Sequence, residues 1–264
     1  MRSFLIGLLI DLQFFTIVPV RRELPMDKIY IHRAIQCFPL IGLLFGLVMA
    51  GSLYILEEWT PLSALAIAFL LWLLTIIWTG GLHLDGWIDV SDAFFSYQDK
   101  ERRLDIMKDS RTGAFGVISV IVLLGARFLF IYEIAEHLHQ WSFFLIMFLP
   151  VLSRSAMGYL LCRLPLAKQG GFGAFFQNGA GKGSLSPYGF FILAGILAGV
   201  IADKELGSML ILLSVFCFVI LFFLQRKIIR WFGGITGDVI GASVEGVELG
   251  LWMVVWLLHY FVTA

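Results

Sequence analysis

Residues 78–92, WTGGLHLDGWIDVSD, place three carboxylates directly after an apolar run of the length that crosses a bilayer. Asp85, Asp89 and Asp92 are spaced i, i+4 and i+7, which keeps them within about 60° of one another on a helix. Like charges on one stripe repel each other, and ionised groups near hydrocarbon are costly. A divalent cation would offset both costs, and carboxylate oxygens suit Mg²⁺, Mn²⁺ or Ca²⁺. The alternative interpretation is a solvated polar face on an interfacial helix.

The composition indicates a membrane protein. Hydrophobic residues make up 59% of the chain and charged residues 14%, whereas a soluble domain carries about 25% charged residues. Apolar runs of the relevant length lie at 34–56, 61–80, 113–132, 141–162, 187–203, 207–225 and 243–262. We therefore predict an all-α, polytopic membrane helical bundle of about seven transmembrane helices plus interfacial helices, forming one domain over residues 1–264. The shorter stretch 3–19, which contains Asp11, either spans the membrane or lies in its interface.

Charge in the connecting segments predicts the orientation. Fifteen of the nineteen Lys and Arg residues lie in the four connections 20–33, 97–112, 163–186 and 226–242. The remaining connections carry mainly acidic residues, so the positive-inside rule predicts that the four basic connections are cytoplasmic. The acidic stretch would then face the cytoplasm with them. The net charge is zero, which gives no case for a nucleic-acid partner.

A compact charged group precedes the run at 113–132. Lys108, Asp109, Ser110 and Arg111 supply a cation, a carboxylate, a hydroxyl and a guanidinium. Arginine binds phosphate oxygens through two parallel hydrogen bonds, and lysine acts as a point charge. We interpret this group as a phosphate-binding segment, and the alternative is a membrane anchor combined with a helix cap.

Charged residues also fall inside the predicted spans. Arg154 lies deep in the run 141–162, where we expect it to pair with a carboxylate or a substrate phosphate. Arg127 lies nearer the outer end of its run, so we interpret it as a snorkelling residue. Asp238 and Glu245, at i and i+7, share a helical face that leads into the last run. They therefore form a second group of acidic residues on one helical face beside an apolar run, like the first acidic stretch.

Two other features have plain structural interpretations. His83 projects to the opposite side of the helix from Asp85, so we interpret it as a packing residue. The glycine-rich stretch 168–183 could cradle a nucleotide, but it fits no phosphate-loop pattern, and we predict a flexible linker.

Taken together, these motifs resemble the cobalamin synthase family, the adenosylcobinamide-GDP ribazoletransferases. The matching segments are FTIVPV at 15–20, FPLIG at 38–42, GGLHLDG at 80–86, IMKDSRTGAFG at 106–116, SRSAM at 153–157 and TGDVIGA at 236–242. They occur in the family's order, and the resemblance covers essentially the whole chain. Residues 16–18 read Thr-Ile-Val where the family pattern has Thr-Arg-Leu, so we assign no catalytic role to that segment.

The resemblance implies an enzyme of the cell inner membrane that uses Mg²⁺ and has its active site on the cytoplasmic side. Its reaction would join adenosylcobinamide-GDP to α-ribazole or its 5′-phosphate, giving adenosylcobalamin or its 5′-phosphate and GMP. Its surroundings would be the lipid bilayer, and its further partners would include other cobalamin-assembly enzymes and a second copy of the chain.

The site residues follow from this interpretation as a set of roles. The metal would be held by Asp85, Asp89, Asp92, Asp238 and Glu245. The substrate phosphates would be bound by Lys108, Ser110, Arg111 and Arg154. The attacking hydroxyl needs a base within hydrogen-bond reach, and the candidates are Asp92, Asp109 and Asp238, with Asp85 as a further catalytic residue.

Two rival functions use the same residues. A cation- or proton-coupled membrane transporter would use the acidic groups as an ion path and would place them near mid-membrane. A lipid enzyme similar to the CDP-alcohol phosphotransferases would use the same acidic residues to cleave a nucleotide pyrophosphate and would act on a lipid substrate. The Ala-Arg that follows the first Asp-Gly in that family's motif is absent here.

Overall fold

The structure is a computed structural model that describes residues 2–109 and 111–262, and no strand occurs in this part of the chain. The helices are α1 (Arg2–Phe15), α2 (Lys28–Trp59), α3 (Ala64–Trp78), α4 (Leu82–Phe95), α5 (Lys100–Ile106), α6 (Ala114–Glu136), α7 (Ser142–Arg163), α8 (Gly171–Gly179), α9 (Ser186–Ala202), α10 (Lys204–Phe232) and α11 (Gly237–Val262). A helix covers each of the apolar runs, and the predicted all-α class is confirmed.

The multi-pass character is confirmed as well, with fewer certain spans than predicted. Among the described residues, five helices are long and apolar enough to cross a membrane, namely α2, α6, α7, α10 and α11. Helices α3 and α4 would make a sixth span together, but they are bent by 82° at their junction. Helix α9 is apolar and has 17 residues. The count of about seven is reached only if the bent pair and α9 also cross, because α3 and α9 are shorter than the roughly 20 residues of a straight span.

Helix α1 is too short to cross the membrane alone. Its 14 residues extend about 21 Å at about 1.5 Å per residue, whereas the hydrocarbon core is about 30 Å thick. It lies against α2 at Gly7, where an added Cβ would come 2.6 Å from the backbone nitrogen of Ala34. Asp11 is fully buried in this contact, and neither of its carboxylate oxygens has a hydrogen-bond partner among the described residues.

Two glycines separate α3 from α4. Gly80 and Gly81 have φ angles of +60° and +78°, in the left-handed region that side chains with a Cβ rarely adopt. The glycine pair of the quoted stretch therefore ends the apolar helix and sends the acidic helix α4 off in a new direction.

Small residues then bring α4 against α11. A Cβ added at Gly86 would lie 2.7 Å from the carbonyl oxygen of Asp238, and one added at Gly241 would lie 3.3 Å from the Cα of His83. Larger side chains at these two positions would force the helices apart. The close crossing places the acidic face of α4 beside the first turn of α11, although about 150 residues of chain separate them.

Helix α7 lies in the middle of the bundle and is buried along most of its length. It packs closely on α2, where Gly42 and Gly46 lie directly on the backbone of Pro150 and Met147. Proline at 150 leaves a backbone carbonyl of α7 without its usual helical donor, and the glycines let the α2 backbone cover that region.

The connection 163–186, which contains the stretch 168–183 that was predicted to be a flexible linker, is ordered, so that prediction is wrong. A short parallel bridge joins it to the segment before α11, with Ile235 N donating to Pro165 O at 2.8 Å and Ala167 N donating to Ile235 O at 2.9 Å. Helix α8 follows, and its Gln177 amide donates to two carbonyls at the end of α7. These hydrogen bonds hold the stretch beside the N-terminal end of α11.

Candidate active site

Carboxylates from α4 and α11 meet at one cavity. Asp85 from α4 and Asp238 from the first turn of α11 both line it, and the cavity has a volume of about 100 Å³ and is partly open to solvent. Asp89, one turn after Asp85, interacts electrostatically with both of them. We call Asp85, Asp89 and Asp238 the open acidic centre.

The oxygens of the open acidic centre are largely free. Asp85 and Asp89 accept no hydrogen bond from any described residue, and Asp238 accepts one long bond of 3.3 Å from Thr236 Oγ1. Lys168, which follows the bridge to the segment before α11, is a cation that interacts electrostatically with Asp89 and Asp238. The centre therefore carries more negative than positive charge and is disposed to bind a cation.

Asp92 is on the same helix but has a different environment. One carboxylate oxygen accepts the backbone N–H of Gly113 and the other accepts that of Gly116, both at 2.7 Å. These N–H groups begin α6, where the helix dipole and the unpaired donors favour an anion. An added Cβ at either glycine would collide with this carboxylate. Asp92 thus fastens α6 to α4, and its predicted role as a metal ligand or base stays a prediction.

The donor set fits Mg²⁺ bound together with a substrate. Among the described residues, no three ligand-type side chains lie close enough to hold a metal ion by themselves. Free carboxylate oxygens are nonetheless the donors that Mg²⁺ prefers, and this ion is usually bound by one or two carboxylates plus phosphate oxygens and water. The open acidic centre is therefore suited to a Mg²⁺–pyrophosphate complex and not to a closed structural metal site.

The predicted phosphate-binding segment lies on the surface between α5 and α6. Arg111 binds Asp109 in a fork, with Nε donating to Oδ1 at 2.9 Å and Nη2 donating to Oδ2 at 2.6 Å. These hydrogen bonds lower the pKa of Asp109 to about 2. Lys108 pairs with Asp105 at 3.0 Å, and Ser110 lies outside the described residues. Neither cation lines the cavity of the open acidic centre.

Below the open acidic centre, two arginines inside the bundle meet two glutamates of α11. Arg127 of α6 binds Glu245, and Arg154 of α7 binds Glu248 with an Nη1–Oε1 distance of 2.6 Å. Ser153 Oγ donates a further hydrogen bond of 2.8 Å to Glu248. We call these two ion pairs the paired layer. The interpretation of Arg127 as a snorkelling residue is wrong, since its side chain is 1% exposed.

The paired layer gives two predicted site residues protein partners. Glu245, predicted as a metal ligand, lies two helical turns beyond Asp238, about 10 Å along the axis, and is occupied by Arg127. Arg154 was predicted to pair with a carboxylate or a substrate phosphate, and it pairs with the carboxylate of Glu248. The roles of Glu245 toward a metal and of Arg154 toward a substrate phosphate therefore stay predictions without a contact that favours them.

The rest of the cavity wall is apolar and includes four phenylalanine residues. Phe15, Phe38 and Phe176 come from α1, α2 and α8, and their ring centroids lie 5.2 to 6.0 Å apart. His83 lines the same cavity from α4 with its ring centroid 6.3 Å from that of Phe15. It is 2% exposed, so it is buried as predicted, but its Nε2 is buried without a hydrogen-bond partner among the described residues.

Sequence reasoning missed several residues around this cavity. Lys168, Phe172 and Phe176 belong to the stretch that was interpreted as a linker. The available signal was the clustering of one cation and several aromatic residues among its glycines, but no periodicity shows that the stretch folds back onto α11.

Comparison with known proteins gives a consistent result over the whole chain. The family model described as cobalamin-5-phosphate synthase matches residues 7–256. An adenosylcobinamide-GDP ribazoletransferase from a Geobacillus species is 40% identical over 263 residues, covering 97% of each chain. Proteins of the same description from Geobacillus kaustophilus and Halalkalibacterium halodurans are each 38% identical, covering 96% and 100% of both chains. No solved structure matches this chain.

Proposed function

Because this chain belongs to the cobalamin-5-phosphate synthase family, we propose that its open acidic centre carries out the ribazole transfer of that family. The chain is a transferase of cobalamin biosynthesis that joins adenosylcobinamide-GDP with ribazole. The finer proposal is that α-ribazole or its 5′-phosphate reacts at the cytoplasmic face of the inner membrane with the assistance of Mg²⁺. Family membership favours this function over an ion-coupled transporter or a lipid enzyme.

One observation carries the proposal. Asp85 and Asp238 come from distant parts of the chain, line one cavity that opens to solvent, and have no cationic side chain bonded to them among the described residues. Acidic groups are rarely left unpaired beside a membrane bundle without a ligand to receive. A pyrophosphate substrate with a hard cation supplies such a ligand.

The proposed reaction breaks a phosphoanhydride bond and forms a phosphoester bond. The ribose 3′-hydroxyl oxygen of α-ribazole forms a bond to the phosphorus nearer the cobinamide. The bond from this phosphorus to the bridging oxygen breaks, and GMP leaves with that oxygen and its electron pair. The hydroxyl proton passes to a carboxylate. Asp238 suits this role best of the three candidates, because Asp92 has both oxygens occupied and Asp109 has a pKa of about 2.

The chain's own residues would position the pyrophosphate. Asp85 and Asp89 would hold Mg²⁺ from α4, with Asp238 facing them from α11. When bound, Mg²⁺ supplies positive charge that stabilises the leaving phosphate. Lys168 would contact oxygens that do not react. Lys108 and Arg111 would first have to exchange Asp105 and Asp109 for phosphate oxygens, which their exposure allows.

The proposal is tested with the purified full-length chain in detergent. We expect GMP to be released when adenosylcobinamide-GDP, α-ribazole 5′-phosphate and Mg²⁺ are all present, and none when any one is omitted or when the metal is chelated. Activity that persists in excess chelator would overturn the metal assignment. No GMP release under any condition would overturn the proposed reaction.

A separate assay tests the membrane face. The chain is incorporated into sealed inverted and right-side-out membrane vesicles, and substrates that cannot cross the bilayer are added outside. We expect turnover in the inverted vesicles alone, because these expose the basic connections predicted to be cytoplasmic. Turnover confined to right-side-out vesicles would reverse the assignment.

A further inference from the structure

The cavity beside the open acidic centre has an unusual lining for a phosphate-transfer site. Apart from Asp85, Asp238 and His83, its wall consists of phenylalanine, aliphatic, methionine and glycine residues. Its volume of about 100 Å³ is below the range of about 300–1,000 Å³ that is typical of small-molecule sites, so it can receive only a small part of a substrate. A ligand that fills this space must therefore present a flat apolar surface and few polar atoms.

His83 adds one specific requirement. It is 2% exposed, and its Nε2 is buried without a hydrogen-bond partner among the described residues. A neutral imidazole has one N–H donor and one acceptor, and leaving a buried polar group unpaired is costly. Gly241 of α11 packs against the Cα of His83, so the backbone cannot shift to bring the imidazole to another partner. A bound ligand that offers a ring nitrogen as acceptor would satisfy the donor.

We propose that this cavity binds the heteroaromatic base of the acceptor nucleoside, and that His83 donates a hydrogen bond to the unprotonated ring nitrogen of that base. The inference rests on the proposed function and deepens it, since it assigns the residue that recognises the base. A benzimidazole base has a flat, apolar bicyclic body and one unprotonated ring nitrogen. The ribose attached to it would then place its hydroxyl groups toward Asp85 and Asp238 at the cavity mouth.

The other substrate groups fit this cavity less well. Guanine carries three acceptors and an amino donor along its edges, in addition to its ring N–H. Most of these atoms would face phenylalanine rings and lose their hydrogen bonds to water, which is costly. The corrin ring, with its many amide side chains, presents more polar atoms than this wall can satisfy. Of the three substrate parts, the base of the acceptor nucleoside matches the lining best.

The test compares two acceptors and four proteins. The acceptors are α-ribazole and its indole counterpart, in which a C–H group replaces the unprotonated ring nitrogen. The proteins are the wild type, His83→Phe, which keeps an aromatic ring without a donor, His83→Gln, which keeps a donor, and His137→Phe. His137 is an exposed residue at the C-terminal end of α6, so it serves as the matched histidine control.

We expect the wild type and His137→Phe to prefer α-ribazole over the indole analogue by about 10- to 100-fold in kcat/KM for GMP release. His83→Phe should lose this preference by reacting more slowly with α-ribazole while keeping its rate with the analogue. His83→Gln should restore most of it. Calorimetric binding of each nucleoside alone to the detergent-solubilised chain should show the same ratios, which excludes any contribution from cobalt coordination.

Two outcomes would overturn the inference without touching the proposed function. One is a wild type that uses both acceptors equally well while releasing GMP. The other is a His83→Phe protein that keeps the full preference. If His83→Phe fails to fold, the wild-type comparison and His83→Gln still decide the matter. A wild type that releases no GMP with any acceptor would instead contradict the proposed reaction.

Discussion

The carboxylates at the start of α11 and α4 and those deeper along α11 have opposite surroundings. Asp238 faces Asp85 across a cavity that opens to solvent, and its only hydrogen bond from a described side chain is long. Glu245 and Glu248, two and nearly three turns further on, are buried and each is bound by an arginine. Acidic residues on the same helix therefore have two different roles, and the presence or absence of a basic partner distinguishes these roles.

The difference shows how to assign roles to acidic residues in a membrane bundle. A buried carboxylate with a guanidinium partner is electrostatically complete, so removing either partner disturbs the fold. A carboxylate without one, at the edge of a cavity, repels its neighbours until a ligand arrives. Neutralising a carboxylate of the open acidic centre should accordingly lower activity and leave stability unchanged. Removing one charge of the paired layer should lower stability and affect activity much less.

The largest expected effect is on turnover. Asp85→Asn removes a proposed metal ligand, so we expect kcat/KM for GMP release to fall by about 10³-fold or more, while the melting temperature without metal stays the same or rises because like-charge repulsion is reduced. Glu58→Gln, an exposed change at the end of α2, is the control and should alter neither quantity. A folded Asp85→Asn protein with full turnover at limiting Mg²⁺ would remove Asp85 from the centre.

The next effect is on stability. Arg154→Met leaves the buried Glu248 without its cation, and we expect a loss of about 3–5 kcal/mol in the free energy of unfolding. The double variant Arg154→Met/Glu248→Leu removes both charges and should recover most of this loss, as measured by thermal unfolding in detergent.

The double variant also tests the predicted role of Arg154 toward substrate. If Arg154 acts in the paired layer alone, the double variant should keep activity within about tenfold of the wild type, because the open acidic centre is unchanged. A stable double variant with activity as low as that of Asp85→Asn would move Arg154 into the phosphate-binding machinery.

The effects of replacing Asp92 should be intermediate between those expected for the open acidic centre and those expected for the paired layer. Asp92→Asn keeps the shape but replaces one of the two acceptors of the α6 N–H groups by a donor, so we expect a loss of about 1–2 kcal/mol in stability. Its activity should fall far less than that of Asp85→Asn. Gly116→Ala, which pushes a Cβ against the same carboxylate, should give a similar loss of stability. An Asp92→Asn protein as stable as the wild type but inactive would place Asp92 in the open acidic centre.

The sequence predicted those features that depend on residues close along the chain. The i, i+4, i+7 spacing of the first acidic stretch and the apolar runs concern single helices. The partners of Arg127 and Asp92 could not be read in this way, because they depend on which helices touch. Glu245 and Glu248 with Arg127 and Arg154, two anions and two cations inside apolar runs, were a signal of pairing, but the sequence does not say which acid meets which base.

The ordering of the stretch 168–183 was missed for a related reason. Its glycines favour a flexible chain locally, and the structure that fixes it comes from bonds to segments far along the sequence, such as those between Ile235 and Pro165. Local preference is a weak guide where backbone groups are paired over a distance. The cavity wall was hidden for the same reason, since α8 supplies two of its aromatic residues.

Replacing Asp11 should have the smallest effect of the changes proposed. This residue also shows that the lack of a basic partner does not by itself identify a functional site. It is an unpaired carboxylate like those of the open acidic centre, yet it is fully buried and lines none of the cavities described here. Burial raises the pKa of Asp11 well above its usual value. The titratable groups that interact with it are Cys37 on α2 and Tyr188 on α9, and Arg33 acts on the same Cys37.

The sign of its pH dependence follows from this shift. The folded state holds the Asp11 proton at pH values where the unfolded state has lost it, so stability is fully present below about pH 4 and declines as the pH rises toward the folded pKa. Asp11→Asn should flatten this decline and raise stability at pH 8 by about 1 kcal/mol or more, with turnover unchanged. Melting temperatures between pH 5 and 9 provide the measurement. A variant that is less stable at every pH would mean that Asp11 is ionised and paired, whereas the expected result would show that an unpaired carboxylate needs a cavity, and not only the lack of a partner, to serve as a site.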